Sequence, residues 1–182
     1  MKHTLLILVE NQPGELARVV GLFGARGFNI ESLTVAETLD PEVSRITLVT
    51  RGDDSEIAHI TRLLDNQIRI ISAVDMQKIQ HVEREMALIN VGAGMGPARQ
   101  EALDLVNVFR AKVVDISRDG LIIEATGDWS KVSALIELLR PLGIREIART
   151  GTLAIARLRN QANAELAASE AEAVGAEVSA GV

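Results

Sequence analysis

Residues 5–37, LLILVENQPGELARVVGLFGARGFNIESLTVAE, decide the fold. Residues 5–9 are apolar on both alternations, as in a strand buried on both faces, and Asn11-Gln12-Pro13-Gly14 ends the run as a turn. Leu16, Val19, Val20 and Phe23 then recur at i, i+3, i+4 and i+7, the apolar stripe of an amphipathic helix. Gly27 supplies the stop, and residues 28–37 return as a second strand carrying Asn29.

Outward from this stretch, Asp40-Pro41 marks a turn and residues 44–51 a third strand. Gly52-Asp53-Asp54-Ser55 offers helix-capping side chains ahead of Ile57, Ile60 and Leu64, and residues 68–76 form a fourth strand. The order βαββαβ then repeats, with strands at 86–91, 112–116, 121–126 and 144–150 and helices at 97–109 and 130–139. The fold class expected is α+β, two ferredoxin-like βαββαβ domains. Residues 1–77 are the first domain, 78–85 a linker, 86–159 the second domain and 160–182 a mobile Ala/Glu-rich tail. Helices on one side of each sheet leave the other side open, and a homodimer would cover the first domain's open side.

Composition narrows the function. A net charge of −6 with three Phe, one Trp and no Tyr disfavours nucleic acid, which needs a basic stripe and stacking platforms. No cysteine means no disulfide, thiolate zinc site or thiol nucleophile, in keeping with a cytoplasmic location. The apolar run 5–9 is too short for a membrane span.

The chemistry favours binding over catalysis. A helix N-terminus offers unpaired N–H groups to a carboxylate, and an asparagine amide with nearby carbonyls takes up an ammonium, so Asn11, Gly14 and Asn29 suit a zwitterion and the chain reads as an amino-acid sensor. No catalytic triad and no metal-ligand cluster is evident. His3 is expected at a frayed terminus, His59 on a charged helix and His81 in the linker, all solvated, while Glu83 and Glu85 read as a polar face or an interface salt bridge. Gly92-Ala93-Gly94-Met95-Gly96 with Asp115 has the outline of a dinucleotide fingerprint. The third glycine falls at Pro97 and the next elements run ββ, so no nucleotide crevice is expected.

Residues 10–16 (ENQPGEL), 18–23 (RVVGLF), 26–35 (RGFNIESLTV) and 44–48 (SRITL) closely resemble the ACT domain of the acetolactate synthase small subunit. The resemblance continues through 81–85 (HVERE), 109–116 (FRAKVVDI) and 149–151 (RTG), and covers roughly residues 2–158. It implies a regulatory, non-catalytic subunit that activates a large catalytic subunit and confers feedback inhibition by valine in branched-chain amino-acid biosynthesis. Thiamine diphosphate, FAD and magnesium are implied for that partner and none for this chain. The effector residues implied are Asn11, Gln12, Pro13, Gly14, Glu15, Leu16, Asn29 and Ile30, shared between the ACT domains of a homodimer. The alternative is a stand-alone ACT sensor that regulates a different enzyme or gene.

Overall fold

The computed structural model describes residues 1–158; the expected tail, 160–182, lies outside them. The chain forms two compact units, one of Met1–Val82 joined by the chain from Ala154, the other of Glu83–Leu153.

The first unit contains β1 (Lys2–Glu10), α1 (Glu15–Ala25), β2 (Ile30–Glu37), β3 (Val43–Arg51), α2 (Asp54–Asp65) and β4 (Ile70–Asp75). Its antiparallel sheet has the order β2-β3-β1-β4, so the double-sided apolar strand β1 lies inside and β2 at an edge. Leu5, Ile7 and Val9 of β1 meet Val19 and Phe23 of α1 and Ile57, Ile60 and Leu64 of α2 in one core. The opposite face of β1 is buried as well. Leu6 packs with Met76 and Ala154, and partly buried Val74, Ile79 and Ala156 surround them.

The second unit repeats the plan with β5 (His81–Val91), α3 (Pro97–Val108), β6 (Lys112–Ile116), β7 (Leu121–Gly127), α4 (Trp129–Leu139) and β8 (Ile144–Arg149). Its sheet order is β6-β7-β5-β8, over a core of Ala87, Ile89, Val91, Ala102, Val132 and Leu135 among others. Residues 81–85, expected within a linker, are the first residues of β5. A further strand that the sequence reading lacks, β9 (Leu153–Ala156), pairs with β5. The Arg157 N–H donates to Gln80 O, and the Arg45 guanidinium to Ala154 O. The returning strand thus supplies part of the cover that the sequence reading assigned to a second copy. Among the described residues no helix is long and apolar enough to cross a membrane.

Local chemistry explains the helix boundaries. At α2, Asp53 accepts from Glu56 N–H and the Glu56 carboxylate accepts from Asp53 N–H, a complete capping box. At α4, Asp128 accepts from Lys131 N–H and from the Ser130 hydroxyl. At α1, Gly14 stands at the N-cap with φ 92° and no capping side chain.

Two tests follow from these caps. Nothing approaches a Cβ built on Gly14 or Gly21, so backbone conformation alone decides the cost of adding one. Gly14→Ala is expected to destabilise by ~1–2 kcal/mol, and Gly21→Ala, inside α1, to stabilise by ~0.5–1 kcal/mol, both measured by urea unfolding. The hydrogen bond from the Ser55 hydroxyl, and then that from Glu56 N–H, hold the Asp53 carboxyl below its usual range; those from the Ser130 hydroxyl and Lys131 N–H do the same for Asp128. Their stabilisation is therefore full above the unfolded carboxyl pKa and lost as pH falls through the lowered folded values. Asp53→Ala should lower the urea midpoint at pH 7 and leave it unchanged once pH lies below both values.

Candidate functional site

The turn from β1 into α1 sits at one end of the first sheet. Asn11 N–H donates to Glu42 O, and the Asn11 amide donates to Pro41 O at 2.8 Å and to Glu37 Oε1 at 3.3 Å. Its Oδ1 accepts from the Ser44 hydroxyl at 3.0 Å. Asn11 therefore clamps the end of β1 to the turn joining β2 and β3, and a ligand would have to share it. Gln12 O accepts from Glu15 N–H at 3.3 Å, closing the turn, and Pro13 and Gly14 are exposed above it. The helix opening presents its N–H groups with no side-chain cap, beside Leu16, which is 40% exposed.

Glu15 is buried and does not face the opening. Its carboxylate pairs with Arg18 at 3.1 Å and Arg69 at 3.3 Å, and Arg69 also approaches Glu10 at 3.7 Å. A void of about 10 Å³ lies among Glu15, Arg18, Leu22, Leu64 and Ile70. It has room for a water and none for an amino acid.

Asn29 lies elsewhere. After α1, Gly27 at φ 74° turns the chain, Phe28 N–H donates to Phe23 O, and the Phe28 ring meets the Phe23 ring edge-on at 6.1 Å. Asn29 precedes β2, which begins at Ile30, where the sequence reading put it inside the strand. Its carbonyl accepts from the Thr50 hydroxyl at 2.7 Å. Its side chain is exposed and makes no hydrogen bond among the described residues. Ile30 stands opposite Thr50 in the β2–β3 ladder, whereas Glu37 stands opposite Ser44. Asn29 and Ile30 are thus at one end of the edge strand and residues 11–16 at the other, about 20 Å apart at ~3.4 Å per residue along β3. One chain does not bring the expected effector residues together.

The remaining sequence candidates have structural work. Asp115 Oδ1 accepts from Ile116 N–H. The glycine segment is filled by Arg99, which donates to the carbonyls of Ala93, Ser117 and Arg118. Arg145 lies against Gly92, with Nε 2.9 Å from where a Cβ would stand. No open cradle for a pyrophosphate remains in the loop. Arg99 was not singled out in the sequence, although its position in the first turn of α3 after a glycine loop is a legible signal. Glu85 is buried and paired with Arg149, an internal bridge within its unit and not an interface one. His3, expected at a frayed terminus, is instead buried within β1 and bonded to Asp75. His59 faces Arg26, and His81 Nδ1 contacts Ile79 O at 2.7 Å.

Two ferredoxin-like units, the first with an uncapped helix opening and a polar edge strand, define a tandem protein of the ACT type. Residues 5–72 match the family model described as the AHAS small subunit-like ACT domain, and residues 84–158 that of the small subunit of acetolactate synthase. The protein named probable acetolactate synthase small subunit in Archaeoglobus fulgidus is 51% identical over 86% of this chain and 98% of its own. The acetolactate synthase small subunit of Mycolicibacterium smegmatis is 47% identical over 85% and 91%. The crystal structure of the acetolactate synthase small subunit from Thermotoga maritima superposes with a TM-score of 0.77 at 40% identity, covering 88% of this chain and 99% of that one. The chain belongs to the family of acetolactate synthase small subunits.

Removing the Arg99 guanidinium would strand the carbonyl of buried Ala93 and leave those of exposed Ser117 and Arg118 to water. Arg99→Ala is expected to destabilise the second unit by ~2–3 kcal/mol, measured by denaturant unfolding, and isothermal calorimetry should show no NADH binding before or after the change.

Proposed function

We propose that this chain is the regulatory subunit of an acetolactate synthase: it activates the large catalytic subunit and makes it sensitive to valine. The observation that carries this reading is the placement of Asn29 and the helix opening at opposite ends of an edge strand. A two-fold axis that sets β2 of one copy beside β2 of another runs the two strands in opposite directions. Asn29 and Ile30 of one copy then come beside residues 11–16 of its partner. A homodimer would hold two such sites, each built from both copies.

In this arrangement the valine carboxylate meets the N–H groups at the opening of α1. The ammonium meets the Asn29 amide oxygen and the carbonyls of the opposite turn, and Leu16 and Ile30 enclose the isopropyl group. Burying that group contributes about 1.5–3 kcal/mol. One methylene more or less changes binding by only about 1–3 kcal/mol, so discrimination against leucine and isoleucine is modest. A ligand that prefers one arrangement of the two copies needs a coupling of only about 1–3 kcal/mol to inhibit a partner severalfold.

Catalysis stays in the large subunit, to which the thiamine diphosphate, FAD and magnesium belong, and the assembly is cytoplasmic. The test is co-purification with the catalytic subunit and an assay with and without valine. Asn29→Ala should keep the activation and lose valine inhibition. An unchanged valine titration curve would reject the site, and failure to co-purify would favour a sensor that serves a different partner.

A further inference from the structure

Apolar packing holds the body of α1 but not its opening. Val19 and Phe23 are buried in the core of the first unit, whereas Leu16, in the first turn, is 40% exposed and Gly14 offers no capping side chain. What fastens that turn to the sheet is the buried carboxylate of Glu15, the first helical residue. Arg18 pairs with it at 3.1 Å, but Arg18 stands three residues along the same helix and moves with it. Arg69 pairs with it at 3.3 Å from outside the helix, on the short connection that enters β4.

Arg69 also meets the other end of the turn. Its carbonyl accepts from Glu10 N–H at 3.0 Å, and its Nε lies 3.7 Å from the Glu10 carboxylate. One residue thus touches both the last residue of β1 and the first of α1, so residues 11–14 span a fixed gap. The connection that carries Arg69 is braced in turn, as Gln67 N–H donates to Leu64 O and Ile70 N–H to Gln67 O. A planar guanidinium meets two carboxylates in a set geometry, which the point charge of an ammonium does not. Because the Glu15 carboxylate is almost wholly buried, the tie escapes the screening that weakens an exposed surface pair. The charges of Glu10, Glu15, Arg18 and Arg69 balance.

We infer that Arg69, acting through Glu15, is a positioning residue of the valine site proposed above: it sets the direction in which the N–H groups at the opening of α1 face a ligand carboxylate. Hydrogen bonds weaken steeply with misalignment, so a turn released from Arg69 keeps its donors and loses their aim. This role is separable from net charge. Lysine at position 69 keeps the charge without the fork, and removal of both Glu15 and Arg69 charges keeps the balance.

The test uses the full chain in complex with the large catalytic subunit, assayed with and without valine. Arg69→Lys and the double variant Glu15→Gln/Arg69→Met should co-purify and activate as the parent does. The valine concentration for half inhibition should rise in both, by about tenfold in the double variant, the equivalent of one lost hydrogen bond to a charged group. Arg69→Met alone should lower the thermal midpoint, since it leaves a buried carboxylate with one partner. Adding Glu15→Gln should recover the midpoint and not the valine response, a split that a merely structural role would not give. Recovery of both together would overturn the positioning role. Asn29→Ala, measured alongside, separates the two levels. If it loses valine inhibition while the Arg69→Lys and double variants titrate as the parent, the positioning role is overturned and the site stands; if it too titrates as the parent, the site falls and the positioning role with it.

Discussion

The antiparallel register of β2 on β3 fixes where the candidate effector residues of the first unit lie. Because Ile30 pairs with Thr50 and Glu37 with Ser44, whatever precedes β2 is carried to the far end of the sheet from the β1–α1 turn. The hydrogen bond from Thr50 to Asn29 O and the clamp formed by Asn11, Ser44 and Pro41 lock the two ends in place. No side-chain rotation closes a gap of about 20 Å. Within one copy Asn29 and residues 11–16 stay at opposite ends of β2, so the proposed effector site requires a second copy, a requirement that follows from strand direction.

The two units show how one architecture is opened or sealed by a single connection. In both, a glycine-containing turn leads from the first strand into the first helix. In the first unit, Gly14 begins α1 without a capping side chain and the neighbouring Glu15 turns inward to Arg18 and Arg69. In the second, Arg99 reaches back across the loop and occupies its carbonyls. The first arrangement leaves donors for a ligand. The second spends a cation on the protein itself and makes the loop a brace.

Periodicity made most of this fold legible. The apolar run 5–9 and a helix capped within residues 52–55 appear where the sequence placed them, and Val19 and Phe23 of the α1 stripe reach the core, whereas Leu16 at its start is exposed and Glu15 is buried instead. What escaped it depends on distant partners. The polarity of His3 and its place near the start of the chain gave no sign that it would lie buried beside Asp75, 72 residues away. Glu15 reads as an ordinary acidic residue in a helix's first turn until Arg69 arrives from β4's approach. The short segment Leu153–Ala156 carries no long period, and its place is set by pairing with β5 and by the apolar surface of Leu6. For the candidate site, the sequence named the residues but not that Asn29 and residues 11–16 lie at opposite ends of β2, because strand direction is a property of the sheet.

The packing of Leu6 against Ala154 bears on how the protein is made. A ribosome adding about 5–20 residues per second delivers Ala154 roughly 7–30 s after Leu6 leaves the peptidyl-transferase centre. Throughout that interval the nascent first unit lacks the strand that seals part of its apolar sheet surface. Formation of that contact closes a loop spanning most of the chain, a slow, high-contact-order event. Any chaperone cover of that surface is therefore needed until residues beyond 156 have emerged, well after the first βαββαβ segment is complete.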